Sequence, residues 1–363
     1  MSEITGPSFF IGKGDEKLIS FGSGQPDLPP PPQAFDVLKT YSSFKYGLVQ
    51  GEESLRAALA TQYPKAKSEQ FVVTNGASEA IDLALRAIRL RLPKGAIGKV
   101  VLPRPYYYSY PHNVRLAGMV PVYYDLKKGK IDYDNFAKVV QGCAAVIINS
   151  PSNPTGTVQE VETLRKIEAL CEKLGVYVLS DEVYKDIIYV RGNYLLKGSR
   201  VVTINSFSKT YAMCGLRVGY LYSQRKELVA DVIEMKTHTA MNTSIVGQMM
   251  ALAALSAPAS YIAHNLEVWR SRRDLMVEGM TELGLELWSP EGAFYVFPKF
   301  GSSAGGSGKV VRDLYHRYGI ITYDGAWFGA PGRVRFSYAL DAGKIQEGLR
   351  RLQEFLGKEH KRR

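Results

Sequence analysis

Short apolar runs alternate with longer amphipathic segments through most of this chain. The apolar runs favour β-strands and lie at residues 100–102, 120–124, 144–148, 176–179 and 201–204. The amphipathic segments repeat apolar residues at helical spacing and lie at residues 79–92, 159–174 and 259–283. Gly175 and Gly284 follow the last two segments and are predicted to end them. Strands that alternate with helices are typical of a wound, mostly parallel sheet, so the pattern predicts an α/β fold.

Polar side chains gather around one lysine that follows the fifth predicted strand. Lys209 is preceded by Ser206 and Ser208 and followed by Arg217. An uncharged lysine amine can hold an aldehyde as a Schiff base, while hydroxyl groups and a guanidinium can bind a phosphate. The arrangement therefore predicts a site for pyridoxal 5'-phosphate. An ordinary polar loop after a strand is the alternative, because an isolated motif of this length is weak evidence.

Seven further motifs accompany the Lys209 segment, and with it they form a series of eight that runs from residue 24 to residue 337. They are Gly24-Gln25-Pro26-Asp27, Tyr46-Gly47, Thr74-Asn75-Gly76-Ala77-Ser78, Pro105-Tyr106-Tyr107, Asn153-Pro154-Thr155-Gly156, Ser180-Asp181-Glu182-Val183-Tyr184, the segment 206–219 and Arg335-Phe336-Ser337. In order and spacing the series resembles the class I and II aminotransferases, a fold-type I family of pyridoxal-phosphate enzymes, and in particular the aspartate aminotransferases.

The resemblance implies both an architecture and an activity. A large cofactor-binding domain with a mostly parallel wound sheet is expected at residues 40–248, and a smaller α/β domain at residues 1–39 and 249–363. The implied activity is transfer of an amino group between an L-amino acid and a 2-oxo acid by a ping-pong Schiff-base mechanism. A histidinol-phosphate-type aminotransferase, or a pyridoxal-phosphate-dependent β-lyase or decarboxylase, stays open because one scaffold supports several reactions.

The resemblance also assigns roles around the cofactor ring. Lys209 is expected to anchor the cofactor and to carry a proton. Asp181, just after an apolar strand, is expected to pair with the protonated ring nitrogen. Tyr184 and Asn153 are expected to hydrogen-bond the 3-oxygen, and Tyr107 to lie against the ring face. Core packing among neighbouring tyrosines is the alternative for Tyr107.

The cofactor phosphate is expected at the start of a helix. Gly76, Ala77 and Ser78 would offer free backbone N–H groups there, and the helix dipole favours an anion. A capped helix start without a ligand, with Ser78 near the N-cap, is the alternative. Tyr46 is expected to reach the phosphate of a neighbouring subunit in a homodimer, since Tyr46-Gly47 precedes a Gly-x-x-x-Leu-Arg segment as in the family. Local packing beside other aromatic residues is the alternative for Tyr46.

Substrate binding is expected to centre on Arg335, whose guanidinium would bind the α-carboxylate with help from Asn153. Gly24 would let the backbone approach the substrate from the N-terminal side. Arg333 lies two positions away and could instead be a surface ion-pair partner. Ser78 stands where an aspartate-using branch of the family has a lysine for the side-chain carboxylate. Aspartate and glutamate, or a broader range of aromatic and neutral amino acids, both remain open.

Composition limits other functions. The chain has 363 residues, a formal net charge of +11 and 45% hydrophobic residues, which suits a soluble protein that binds anionic ligands. Without a nucleic-acid-binding motif, a long apolar stretch or a basic leader, we expect no nucleic-acid partner, no membrane and a cytoplasmic location. Three cysteines without metal-ligand spacing fit a reducing compartment and predict no metal. Residues 301–309, rich in Gly and Ser, are expected to form a flexible surface connection.

Overall fold

The computed structural model describes residues 4, 6–10, 17–190, 192–300 and 306–360. The strands in this part of the chain are β1 (Ile19–Ser20), β2 (Phe71–Thr74), β3 (Lys99–Arg104), β4 (Val120–Asp125), β5 (Ala145–Asn149), β6 (Tyr177–Asp181), β7 (Val201–Ser206), β8 (Gly219–Ser223), β9 (Tyr295–Val296), β10 (Ile320–Ile321), β11 (Tyr323–Asp324) and β12 (Val334–Ser337). The helices are α1 (Pro32–Thr40), α2 (Glu53–Ala60), α3 (Gly76–Leu90), α4 (Tyr110–Leu116), α5 (Tyr133–Val139), α6 (Val161–Leu174), α7 (Lys226–Thr239), α8 (Ile245–Leu255), α9 (Ala259–Glu282), α10 (Gly306–Tyr318) and α11 (Ala342–His360).

A seven-stranded sheet forms the centre of the fold, in the order β2-β8-β7-β6-β5-β3-β4. Strands β4, β3, β5, β6 and β7 pair in parallel, whereas β8 is antiparallel to both of its neighbours. Strands β5, β6 and β7 are buried along their whole length, and their apolar residues pack against helices on both faces of the sheet. The carboxyl ends of β5, β6 and β7 therefore meet at one edge, where polar residues follow each strand.

A second group of elements packs beside that edge. Strands β11, β12 and β9 form an antiparallel sheet, and β1 pairs in parallel with β10. Helices α9, α10 and α11 cover a core that contains Trp269, Phe294 and Phe336. This core also includes Val183 and Tyr184, which directly follow β6. The contact places β12 and β9 over the carboxyl edge of the large sheet.

The predicted mostly parallel α/β fold is confirmed, and so are the five predicted strands. Gly175 and Gly284 end their helices with positive φ angles of 72° and 73°. The first predicted helix begins at Gly76, earlier than its periodicity indicated, with Asn75 as its N-cap and Ser78 in its first turn. The division into a large domain at residues 40–248 and a smaller one at residues 1–39 and 249–363 stays a prediction.

The expectation of a loop at residues 301–309 is wrong for its second half. Residues 301–305 lie outside the described residues, but α10 already begins at Gly306. The Ser307 hydroxyl, buried, donates to Asp324 Oδ1 at 2.6 Å, and this contact fixes the first turn of the helix. A composition rich in glycine and serine does not distinguish a loop from a helix start, because small polar residues are favoured in both.

Within the described ranges, no single helix is long and apolar enough to cross a membrane. Helices α8 and α9 taken together would be long and apolar enough to span a membrane, but the two helices meet at a bend of 90°. Trp269 and Met276 of α9 are buried in the protein core.

Candidate active site

A cavity of about 330 Å³ lies where the carboxyl edge of the large sheet meets α3 and β12. Asn149, Asp181 and Ser206, the last residues of β5, β6 and β7, line its floor. The parallel direction of these strands is what brings residues far apart in sequence to one place. Of the residues predicted from the sequence to form the site, those that line the cavity are Ala77, Ser78, Tyr107, Asn153, Asp181, Tyr184, Ser206, Ser208, Lys209, Arg217 and Arg335.

Lys209 extends into this cavity from the loop after β7. Its Nζ donates to the carbonyl oxygen of Gly24 at 2.8 Å and lies 5.9 Å from the centre of the Phe294 ring. Gly24 has a φ of 58°, and a Cβ there would overlap the Tyr295 hydroxyl. Only glycine fits this position, so Gly24 brings a main-chain carbonyl to the lysine amine.

Asp181 is buried at the floor of the cavity, with its carboxylate supported by neutral donors. Tyr110 Oη donates to Asp181 Oδ2 at 2.6 Å, and the Val183 N–H donates to Oδ1 at 3.3 Å. Burial raises the pKa of Asp181 to about 6, while the Tyr110 hydrogen bond and the nearby Lys209 charge act in the opposite direction. A cation brought to this carboxylate would therefore be strongly stabilised.

Six residues form what we call the anion cup at one end of the cavity, namely Gly76, Ala77, Ser78, Ser206, Ser208 and Arg217. The first turn of α3 supplies backbone N–H groups that have no partner within the helix. Arg217 lies so close that a Cβ on Gly76 would be 2.5 Å from Nη2. A Cβ on Gly219 would be 2.6 Å from the carbonyl carbon of Gly76, so a glycine there lets β8 support the helix start. Hydroxyls, N–H groups and a guanidinium are the donors that a phosphate prefers.

Two tyrosines meet beside Lys209. The hydroxyls of Tyr184 and Tyr295 are 2.8 Å apart, and burial raises the pKa of Tyr184 well above its usual value. Tyr107 is partly buried and packs against Tyr108 and Tyr110, with ring centres 4.6 and 5.4 Å away. Its side chain both packs in the aromatic cluster and lines the cavity, so the two interpretations of Tyr107 do not exclude each other.

Arg335 is fully buried at the opposite side of the cavity from the sheet. Its Nη1 donates to Asn153 Oδ1 at 2.8 Å, and its Nη2 donates to the Gly22 carbonyl oxygen. Rings of Tyr295 and Tyr323 flank the guanidinium at 4.5 and 4.6 Å. Arg335 Nε is buried without a hydrogen-bond partner, which leaves a donor for a ligand.

Arg333 lies away from the cavity. Its guanidinium pairs with Glu286 at 3.0 Å and stacks on Trp288 at 3.9 Å. Arg335 lines the cavity and Arg333 does not, although the two lie only two positions apart. The geometry matches a surface ion pair for Arg333.

Tyr46 does not line the cavity of its own subunit. Its side chain is 82% exposed, and Phe44 beside it is 88% exposed and packs edge-on against Tyr41 at 5.6 Å. The ring contact found here joins Tyr41 and Phe44, and the exposed Tyr46 side chain is not part of it. The role of Tyr46 across a subunit boundary stays a prediction.

Sequence reasoning missed four tyrosines of the cavity, namely Tyr108, Tyr110, Tyr295 and Tyr323. Nothing in the sequence near Tyr110 marks it as the partner of Asp181. Cys214 is half-buried, donates its S–H to the Ser208 carbonyl oxygen at 2.9 Å and lines the cavity. The structure thus brings the predicted residues together, except Tyr46, and adds an aromatic wall.

Comparison with known proteins agrees with this geometry. The family model for aminotransferase class I and II matches residues 16–352. A probable aspartate/prephenate aminotransferase from Aquifex aeolicus is 34% identical over 93% of this chain and 91% of its own. Two solved structures superpose closely. Aspartate aminotransferase from Thermus thermophilus with maleate has a TM-score of 0.88 at 28% identity, over 93% of this chain and 91% of its own. Aromatic aminotransferase from Pyrococcus horikoshii has a TM-score of 0.87 at 29% identity, over 95% of this chain and 97% of its own. The chain therefore belongs to the class I and II aminotransferases.

Proposed function

We propose that the cavity binds pyridoxal 5'-phosphate and that the chain uses it to move an amino group from an L-amino acid to a 2-oxo acid. The observation that carries the proposal is that the Lys209 amine, the buried Asp181 carboxylate and the anion cup all face one cavity of about 330 Å³. The carboxylate has only neutral donors, and Arg335 Nε has no acceptor. A cofactor with a basic ring nitrogen and a phosphate, together with a substrate carboxylate, would satisfy these groups.

The residues around the ring have distinct tasks in this proposal. When bound, the cofactor supplies an electron sink for the electrons released as the substrate Cα loses its proton. Asp181 would hold a proton on the ring nitrogen, and Tyr110 would orient the carboxylate for that contact. Lys209 would anchor the cofactor and, as a free amine, would carry the proton that leaves the substrate Cα. Tyr184 and Asn153 would donate hydrogen bonds to the ring oxygen.

Arg335 positions the substrate. Its guanidinium binds the α-carboxylate through Nε and the second N–H of Nη2, while Asn153 Oδ1 accepts from Nη1 and the Gly22 carbonyl oxygen accepts from the first N–H of Nη2. Flanking rings keep water from the guanidinium and fix its plane. The substrate Cα is thereby held on the Lys209 side of the cavity, where proton transfer takes place.

Relatives of this chain carry the names of aminotransferases, which favours amino transfer over β-elimination or decarboxylation. The same names favour an amino-acid donor over histidinol phosphate.

A panel of amino donors tests the function and separates the open substrate ranges. With the loaded enzyme and 2-oxoglutarate, we expect neutral and aromatic donors to reach kcat/KM values within about tenfold of aspartate. The reason is that a charge-assisted hydrogen bond to the side-chain carboxylate, worth ~1.5–3 kcal/mol, is missing from the described lining. Tyr108, Tyr295 and Tyr323 offer aromatic surface instead.

Two results of the panel would contradict the proposal. Release of ammonia or carbon dioxide without a new amino acid would exclude amino transfer as the main reaction. A preference of more than about a hundredfold for aspartate would mean that a cation outside this lining reaches the substrate. As a control, Arg335→Leu should weaken every donor that has an α-carboxylate by ~2–5 kcal/mol.

We also propose that the active form is a homodimer in which Tyr46 reaches the partner's cofactor phosphate. Exposed apolar side chains support the presence of a subunit interface. They are Phe35, Leu38, Phe44, Leu48 and Met241. A monomer would leave these side chains in water, whereas an isologous contact would bury the same patch on both subunits.

A subunit-mixing experiment tests Tyr46. Lys209→Ala subunits are combined with Tyr46→Phe subunits, and cofactor affinity is measured on the heterodimer. If Tyr46 acts across the interface, each heterodimer has one site with both defects and one with neither, so wild-type affinity returns in half of the sites. If Tyr46 acts within its own subunit, no intact site forms and this recovery is absent.

The remaining expectations extend this proposal. Cys143, Cys171 and Cys214 are all unpaired, which supports work in the reducing cytoplasm. The partners we propose are the amino acid and 2-oxo acid substrates and a second subunit, with neither nucleic acid nor membrane required.

A further inference from the structure

A completely buried lysine lies behind the anion cup, and no step proposed above uses it. Lys236, near the end of α7, has an exposed fraction of 0%. Its Nζ donates to Glu79 Oε2 at 3.0 Å, across 157 residues of sequence. A buried charge is costly unless it is paired, so the position of this ion pair needs a reason.

Glu79 connects the lysine to the cup. It is the fourth residue of α3, and its carboxylate turns back to accept the Asn75 N–H at 2.6 Å and the Asn75 amide at 3.2 Å. Asn75 immediately precedes Gly76, and its carbonyl oxygen accepts from Arg217 Nη2 at 3.4 Å. The carboxylate thus holds the turn from which the cup donors project.

The same carboxylate creates an electrostatic difficulty for the cup. A negative group in the first turn of a helix uses the positive end of the helix dipole and repels a second anion there. A phosphate bound by the cup would be such an anion. Lys236, which is fully buried, compensates the charge of the partly buried Glu79, and opposite charges interact more strongly there than in bulk water.

We propose that Glu79 and Lys236 are positioning residues for the cofactor phosphate. Glu79 fixes the turn at Asn75, and Lys236 neutralises Glu79 so that the cup can hold a dianion. The inference rests on the proposed cofactor. A pair that served only the stability of α3 and α7 would affect ligands with and without a phosphate alike.

The test compares pyridoxal 5'-phosphate with pyridoxal, which lacks the phosphate, as ligands of the cofactor-free protein. Dissociation constants are measured by absorbance titration on Lys236→Met, Glu79→Gln and the double variant. We expect Lys236→Met to reduce the preference for the phosphorylated ligand by about tenfold or more, because Glu79 is left uncompensated. Glu79→Gln should not reduce the preference, and the double variant should regain most of it.

Matched controls keep the result interpretable. Lys130→Met removes a similar, partly buried ion pair with Glu291 outside the cavity and should leave the preference unchanged. Each preference is a ratio within one folded variant, so a general loss of stability cancels. An unchanged ratio in Lys236→Met, or an equal loss in the double variant, would overturn the inference. If wild-type protein binds both ligands equally, the proposed cofactor is wrong instead.

Discussion

Lys209→Ala is expected to abolish amino transfer, with a loss of turnover of roughly 10²–10⁴-fold from missing proton transfer alone. The loss should be larger still because the same amine anchors the cofactor. Lys209→Arg should lose as much activity, since a guanidinium keeps the charge but cannot give up its proton. Initial rates with the best donor, at saturating cofactor, measure the effect.

Chemical labelling provides an independent check on Lys209. Borohydride reduction of the loaded wild-type enzyme should fix the cofactor covalently to the peptide that contains Lys209. Peptide mapping by mass spectrometry locates the label. A label on another lysine, or wild-type turnover by Lys209→Ala, would exclude the central assignment.

Asp181→Asn is expected to bind the cofactor through the anion cup but to exchange the substrate Cα proton very slowly. An amide cannot hold a positive charge on the ring nitrogen, so the electrons released at Cα have no sink. The measurement is the rate of deuterium exchange at Cα of the donor in D₂O, together with cofactor affinity. Near-normal exchange in this variant would show that Asp181 has been misassigned.

The same substitution should stabilise the cofactor-free protein at neutral and alkaline pH. Burial raises the pKa of Asp181 from 3.8 to about 6. Well above pH 6 the carboxylate is ionised in both the folded and the unfolded chain, and its burial costs about 3 kcal/mol. As the pH falls through 6 the folded chain takes up the proton first, so the cost shrinks and is gone below the unfolded pKa. Asn also keeps an acceptor for Tyr110.

Urea unfolding at two pH values measures this effect. Asp181→Asn should raise the free energy of unfolding of the cofactor-free protein by up to about 3 kcal/mol at pH 8 and by little near pH 4. A residue kept for activity at the expense of stability is common in active sites. A variant that is less stable than wild type at pH 8 would contradict the buried-charge explanation.

The sequence by itself determined the parallel sheet and the chemistry at its edge. The central strands begin as mostly apolar runs because both faces of the sheet are covered, and this pattern is visible in the sequence. Asp181 and Lys209 each follow such a run, and parallel strands bring their carboxyl ends together. Their meeting in one cavity could therefore be predicted.

Only the tertiary structure decided which side chains support these groups. Tyr110 donates to Asp181 across 71 residues of sequence, and Lys236 meets Glu79 across 157. Neither tyrosine nor lysine carries a local signal for such a contact, because the partner is chosen by how helices α4 and α7 pack on the sheet. Strand periodicity is set by neighbours along the chain, whereas a buried hydrogen bond or ion pair depends on groups that only folding brings within reach.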